Sequence, residues 1–227
     1  EWARLGDFGH DVSKIRPIEQ WALDRVDAVI AVSAEDKALM VNAGTPSDKI
    51  TVIPHGVDLA QFEQGVGVDI RAAHDIAVDA PLLFFHGTLH YWPNTEAVRF
   101  FVESLLPLLL ASEPGLRLIV AGQNPPKYYA HPAVITPGSV ERIEDYIAAA
   151  DVCVCPIFEG GGTRMKLLEY MASGAAIIST TKGAEGIQFQ PGREMLIADE
   201  AEPMAAAILG LLADPEHRDR LGRAAQH

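Results

Sequence analysis

A glycine-rich turn followed by two cations and a carboxylate is the part of this sequence best suited to chemistry. The turn runs Gly160-Gly-Gly-Thr-Arg-Met-Lys166, and Glu169 follows three residues later. Glycines let a backbone turn sharply and approach a ligand, and the N-terminus of a following helix offers free N–H donors and partial positive charge. Arg164 and Lys166 oppose that dipole unless an anion binds there. The pattern therefore predicts an anion site that matches a diphosphate.

The helix after this turn should carry the rest of the site. We predict that Thr163 caps it and that Glu169, on the same side as Lys166, accepts hydrogen bonds from a ribose diol. Its buried stripe is predicted at Met165, Leu168 and Met171 or Ala172. The alternative is an ordinary glycine turn before a surface helix. A P-loop is excluded because no G-K-[ST] is present, and a dinucleotide fingerprint fails because Met165 stands where its third glycine should be.

Apolar runs alternating with amphipathic stretches indicate the elements that position this segment. Because the runs are continuous rather than alternating, they predict strands covered on both faces, in a doubly wound parallel α/β sheet. Strands are predicted at residues 28–32, 50–53, 82–85, 116–121, 134–135, 152–155 and 175–179. Helices are predicted at 17–24, 34–43, 94–110, 143–150, 163–172 and 201–212, before a charged helical tail. Ligand-binding loops should follow the strands' carboxyl ends, at 86–94, 122–129, 138–142, 156–163 and 180–186.

Composition narrows the classes of partner. The 227 residues carry a net charge of −13, with 31 acidic against 18 basic residues, which argues against nucleic acid. Cys153 and Cys155, the two cysteines, fall in one apolar strand and should be small buried side chains, so a reducing compartment is expected. No apolar run approaches the ~20 residues of a membrane span, and the first residues lack the apolar core of a signal peptide. We therefore expect a cytoplasmic protein; peripheral attachment of a full-length form to the inner membrane face stays open.

Five segments occur in the order typical of one enzyme family. They are residues 28–33 with 49–58, 85–94, 118–122, 149–156, and 174–181 with 183–186. With the glycine turn, they resemble the family-4 retaining glycosyltransferases of the GT-B fold. The resemblance implies that residues 1–60 are the truncated end of an acceptor-side domain with its linker. Residues 61–227 would then be a nucleotide-sugar-binding domain of Rossmann-like fold.

The resemblance also implies a set of ligand-binding residues. Glu169 matches the second glutamate of the family's E-x7-E motif, which binds the donor ribose, and Arg164 and Lys166 match its diphosphate-binding cations. The implied substrate-binding residues are Gly87, Gly161, Gly162, Thr163, Arg164, Lys166 and Glu169. The first glutamate of the motif falls at Gly161, so the carboxylate that usually contacts the sugar is missing. In place of the Arg or Lys common after the first strand stands His90-Tyr-Trp-Pro-Asn94.

The function expected from this resemblance is that of a hexosyltransferase. A sugar would pass from a UDP- or GDP-sugar to a glycan or lipid acceptor, with retention at the anomeric carbon and without metal or cofactor. We identify no catalytic nucleophile. Two other classes stay open: a non-catalytic nucleotide-binding or assembly module, favoured by Gly161, and an NAD(P)-linked enzyme, disfavoured by the missing glycine fingerprint. His86 and His90 have the spacing of a metal pair, but no third ligand follows.

A truncated acceptor-side segment should have lost the surface that covered it. Its apolar side chains are Trp2, Phe8, Trp21, Leu39 and Met40. Exposed apolar patches drive association and unanchored termini fray, so we predict self-association or disorder of the first ~15 residues. Donor binding should be weak and turnover absent, because productive orientation needs both reactants held together. Light scattering tests the first expectation, and an ordered monomer whose residues 1–60 pack fully onto the rest would contradict it.

Overall fold

The computed structural model describes residues 12–123 and 129–226, in which strands and helices alternate. The strands are β1 (Val29–Ala31), β2 (Ile50–Val52), β3 (Leu82–His86), β4 (Arg117–Ala121), β5 (Val134–Gly138), β6 (Val152–Cys155), β7 (Ile177–Ser179) and β8 (Leu196–Ile197). The α-helices are α1 (Val12–Arg25), α2 (Ala34–Asn42), α3 (Leu59–Phe62), α4 (Val68–Ala73), α5 (Trp92–Phe100), α6 (Leu106–Ser112), α7 (Ile143–Ala149), α8 (Met165–Ala172), α9 (Ala201–Ala213) and α10 (Pro215–Gln226). A π-helical segment, Phe101–Leu105, joins α5 to α6.

A six-stranded parallel sheet forms the core. Its order is β5-β4-β3-β6-β7-β8, and every neighbouring pair is parallel. The central strands β3 and β6 are buried almost completely, Cys153 and Cys155 included, which explains their unbroken apolar sequences. The predicted doubly wound α/β class is confirmed. Strand order reverses between β3 and β6, and open sheets of this kind bind ligands beyond the carboxyl ends at such a point.

The chain divides into two compact units. The smaller contains the described residues up to Gly56, with Glu159–Met165 and Ala184–Gln188. The larger contains Val57–Phe158, Lys166–Gly183 and the described residues from Phe189 on. The division at Gly56 lies close to the predicted boundary, but two segments that we assigned to the second domain group with the smaller unit. That the units are acceptor-side and donor-side domains stays a prediction.

The smaller unit contains the two-stranded parallel sheet of β1 and β2 and exposes large apolar side chains. Ile18, Ile30 and Trp21 are 65%, 63% and 57% exposed, and Leu39 is exposed as well. Trp2 and Phe8, and most of the first 15 residues to which the disorder prediction applies, lie outside the described residues. The exposed apolar side chains are consistent with the reason given for self-association, but self-association itself stays a prediction.

Three short elements of the structure were not predicted from the sequence. Helices α3 and α4 and the two-residue strand β8 are too brief for a hydrophobic period to develop. The turn between α3 and α4 packs closely on α7: a Cβ at Gly65 would lie 2.5 Å from the Glu144 carbonyl oxygen, and one at Gly67 would lie 2.4 Å from the Ala149 nitrogen.

Within the described ranges, no helix combines the length and the apolarity needed to cross a bilayer.

Asp151 ties three elements of the larger unit together at the amino-terminal edge of the sheet. Its Oδ2 accepts hydrogen bonds from the Leu82 backbone N–H at 2.8 Å and from the Arg71 guanidinium at 2.9 Å. Arg218 of α10 lies 3.6 Å from Oδ1. Since the carboxylate is only 24% exposed, solvent screens these contacts weakly.

Asp151→Asn is expected to lower the free energy of unfolding by about 1.5–3 kcal/mol, the range for hydrogen bonds to charged groups. The matched control is Asp219→Asn, whose exposed carboxylate pairs with Arg223 at 4.0 Å. It should change stability by less than about 1 kcal/mol. Urea unfolding measures both variants, and equal midpoints would contradict the structural role given to Asp151.

Candidate functional site

A cleft of about 520 Å³ opens at the carboxyl ends of the strands in the larger unit. The loops after β3, β4 and β5 line it together with Ile143 of α7 and Glu169 of α8. Its lining includes His86, Gly87, His90, Gln123, Val140 and Glu169. Parts of three loops predicted to bind ligand therefore share one cleft. The middle of the second, residues 124–128, lies outside the described residues.

Two glycines let the first two of these loops approach each other. The Gly87 N–H donates to the Ala121 carbonyl oxygen at 3.0 Å, which continues the pairing of β3 with β4 beyond the strand ends. A Cβ at Gly122 would lie 2.0 Å from the Gly87 carbonyl oxygen, a distance that no side chain tolerates. The Gly122 φ of +151° also favours glycine. The floor of the cleft thus requires glycine at residue 122.

Lys166 reaches the same loop from α8. Its Nζ donates to Asn94 Oδ1 at 2.7 Å and lies 4.0 Å from the centre of the Phe85 ring. Asn94 Nδ2 donates in turn to the Thr88 carbonyl oxygen at 3.0 Å. Gly87 completes this group, since a Cβ there would lie 2.7 Å from Asn94 Nδ2 and 3.1 Å from Lys166 Nζ. The ammonium is therefore held in place, with the Lys166 residue only 8% exposed.

Glu169 lies one turn further along α8 and faces His86, the last residue of β3. Glu169 Oε2 is 3.0 Å from His86 Nε2, although the alignment of the two groups falls outside the range of a well-formed hydrogen bond. Burial lowers the pKa of the His86 imidazole and nearby Lys166 lowers it further, while Glu169 raises it. Burial is the largest of these causes, so the ring is neutral at neutral pH.

The structure brings together three of the predicted site residues: Gly87, Lys166 and Glu169. The other four, Gly161, Gly162, Thr163 and Arg164, belong to the smaller unit. There Arg164 Nη1 donates to the carbonyl oxygens of Gly161, at 2.6 Å, and Gly162. The Arg164 guanidinium thus stabilises the glycine-rich turn that precedes it. Whether these four residues bind a ligand stays a prediction.

One prediction about α8 was wrong and a second was right only in part. The helix begins at Met165, and the Thr163 hydroxyl is buried without a hydrogen-bond partner, so Thr163 does not cap the helix. The buried face carries Lys166, Leu167, Tyr170 and Ala172, so Ala172 is buried as predicted, whereas Met165 is 37% exposed. The error arose because a stripe through Met165 and Leu168 was chosen over the face of Leu167 and Tyr170, which also carries the lysine. Lys166 can be buried on this face because its ammonium donates to Asn94 and lies over the Phe85 ring.

Two polar residues of the site were not predicted as such. Asn94 was noted only as the end of a loop and the start of a helix, and His86 only as the start of that loop and half of a weak metal pair. The dipeptide Pro93-Asn94 at the start of α5 was the available signal for the first, and a histidine inside an otherwise apolar strand end for the second. Across residues 12–123 and 129–226, no group of three or more His, Cys, Asp or Glu side chains could hold a metal ion.

Comparison with known proteins identifies the family. Residues 80–214, more than half of the chain, match the family described as glycosyl transferases group 1. The chain belongs to that family. Residues 5–61 match a second family, described as glycosyltransferase family 4.

Similar proteins of known name are also glycosyltransferases, in agreement with the assignment to glycosyl transferases group 1. The D-inositol 3-phosphate glycosyltransferase of Pseudarthrobacter chlorophenolicus is 28% identical over 211 residues, which cover 85% of this chain and 49% of that protein. A second such enzyme, from Xylanimonas cellulosilytica, is 26% identical over 92% of this chain and 54% of its own length. This chain thus spans about half the length of these relatives.

Solved structures show the same fold. The crystal structure of Anabaena HepE in complex with UDP-glucose superposes with a TM-score of 0.80 at 16% identity, covering 98% of this chain and 64% of that one. The sucrose-phosphate synthase of Thermosynechococcus elongatus superposes with a TM-score of 0.74 at 23% identity, covering 94% and 56%. These likenesses support the predicted fold class, a parallel α/β sheet with flanking helices of the GT-B type.

Proposed function

We propose that the larger unit binds a nucleoside-diphosphate sugar and that the whole protein transfers the sugar to a glycan or lipid acceptor with retention. The observation that carries the proposal is one cleft at the sheet's carboxyl edge that joins Gly87 to Glu169, with Lys166 beside it. Lys166 meets Asn94, which lies 72 residues earlier in the chain. Glu169 likewise meets His86, which lies 83 residues earlier. Membership of the group 1 family supports transferase chemistry.

Each residue has a distinct part in this proposal. Lys166 stabilises the departing diphosphate as negative charge develops on its oxygens, and its fixed position avoids reorganisation at that moment. Glu169 accepts a hydrogen bond from the donor ribose. The base lies toward the loops after β4 and β5, against Val140. No metal is required, because the lysine and backbone N–H groups supply the positive charge.

The donor that we propose is a UDP-sugar, with a GDP-sugar as the other candidate. Structures of HepE with UDP, with UDP and glucose, and with UDP-glucose support the first choice. The acceptor is bound by parts of the protein beyond this larger unit. The departure at Gly161 favours the second candidate, a non-catalytic module that binds nucleotide without transfer.

Two measurements test these proposals. Calorimetric titration with UDP, GDP and ADP, each with and without its sugar, should show binding of one diphosphate that EDTA does not weaken. The full-length protein should then transfer sugar from that donor, and the NMR coupling constant of the new anomeric proton should match the donor's configuration. Absence of binding to all three diphosphates would refute the proposal. Binding without transfer by the full-length protein would favour the non-catalytic module.

A further inference from the structure

His86 and Glu169 each have one buried polar atom that makes no well-formed hydrogen bond. Glu169 Oε2 and His86 Nε2 are both shielded from solvent. Neither atom can satisfy itself with bulk water, and a buried polar atom left unpaired costs about 1–3 kcal/mol. At 3.0 Å, the contact between them is the one through which both can be satisfied. A small rotation of the carboxylate would align it.

The chemistry of the pair assigns the proton. An ionised carboxylate only accepts hydrogen bonds, so the imidazole must donate, and a neutral imidazole carries one N–H. That N–H therefore lies on Nε2, facing Glu169. Since Oε2 is the shielded oxygen of a side chain that is 22% exposed and lines the cleft, Oε1 is the oxygen left for a ligand.

We propose that His86 is a positioning residue for donor recognition: it holds Oε2 of Glu169 from behind, so that Oε1 is presented to the ribose. This inference rests on the proposed function and adds a specificity-determining group to it. His86 also lines the cleft, but the role assigned to it does not depend on contact with the nucleotide. It acts through Glu169, by fixing the rotamer and the direction of the carboxylate.

The ring of His86 is in turn held by aromatic neighbours. Its centroid lies 5.6 Å from that of Phe84 in a stacked arrangement and 5.3 Å from that of Tyr170, edge to face. Both neighbours are fully buried. The imidazole therefore has a fixed plane, which a phenyl ring can occupy without the N–H. His86→Phe consequently removes the hydrogen-bond donor and keeps most of the packing.

Binding of UDP and 2′-deoxy-UDP, measured by calorimetry, tests the inference. The parent protein should prefer UDP by roughly tenfold or more, a factor that corresponds to a hydrogen bond to a charged group. His86→Phe should weaken UDP about tenfold and leave 2′-deoxy-UDP nearly unchanged, so that the preference disappears. His86→Gln, whose amide can still donate to Oε2, should keep part of the preference. In a Glu169→Gln background, His86→Phe should have no further effect on the preference.

Phe84→Leu is the matched structural control, because Phe84 contacts the same ring and carries no polar atom. It should lower the melting temperature and affect both nucleotides equally. A readout without ligand accompanies these variants: ¹⁵N NMR of labelled histidine should show His86 neutral, with its proton on Nε2. A proton on Nδ1, or a His86→Phe variant that keeps the parent's preference for UDP, would overturn this inference alone. A parent protein that binds neither nucleotide would overturn the proposed function with it.

Discussion

Replacing Lys166 by Met is expected to weaken binding of UDP by about tenfold to a hundredfold while changing the affinity for uridine by less than about threefold. The range corresponds to the 1.5–3 kcal/mol typical of a hydrogen bond to a charged group. Methionine keeps a long unbranched side chain at this buried position, whereas alanine would also open a cavity. The ammonium is removed, and with it the attraction to the diphosphate and the hydrogen bond to Asn94. Calorimetry with the two ligands gives the comparison.

The control for Lys166 must remove a positive charge from the same unit but from the opposite edge of the sheet. Arg117→Met serves, because Arg117 begins β4 and donates to the carbonyl oxygens of Gly115 and Leu116. It should change the affinity for UDP by less than about twofold, since the cleft lies beyond the other end of that strand and salt screens distant charges. Equal losses for UDP and uridine in the Lys166 variant would show a packing role rather than phosphate binding.

The sequence predicted the sheet well because its strands are buried on both faces. Such strands must be apolar throughout, so residues 82–85 and 152–155 were recognisable without knowledge of their neighbours. The general rule that ligands bind beyond the carboxyl ends of parallel strands then indicated five loops, three of which line the cleft. It placed Gly87, Lys166 and Glu169 within reach of one another although β3 and α8 lie far apart in the chain.

What the sequence could not predict depends on pairing across that distance. Asn94 matters because it receives Lys166, and His86 because it faces Glu169, and neither relation has a local pattern. The buried face of α8 was misplaced for the same reason: a lysine is normally solvent-exposed, and only its partners on β3 and α5 explain its burial. Thr163 illustrates an error from a local pattern. Because threonine is suited to capping, the helix was predicted to begin at residue 163, whereas it begins two positions later, at Met165.

Glu169→Gln is expected to lower the affinity for UDP by about 1.5–3 kcal/mol, the range for hydrogen bonds to charged groups. The amide has the shape of the carboxylate, so packing is retained, but its charge is gone and one oxygen becomes a donor. If glutamine still turns its oxygen toward His86, its NH₂ faces the ribose, where a hydroxyl must then accept instead of donate. The preference for UDP over 2′-deoxy-UDP should therefore fall to within about twofold.

The alternative for Glu169 is a purely structural role, in which its carboxylate serves only to satisfy His86. Glu169→Gln would then lower stability slightly and leave both nucleotides bound as in the parent protein. Glu103→Gln is the matched control, because Glu103 is an exposed carboxylate of the same unit that does not line the cleft. Urea unfolding and calorimetry on the two variants separate the roles. An unchanged preference for UDP in Glu169→Gln would mean that the cleft does not bind ribose through α8, and the donor site would have to lie elsewhere.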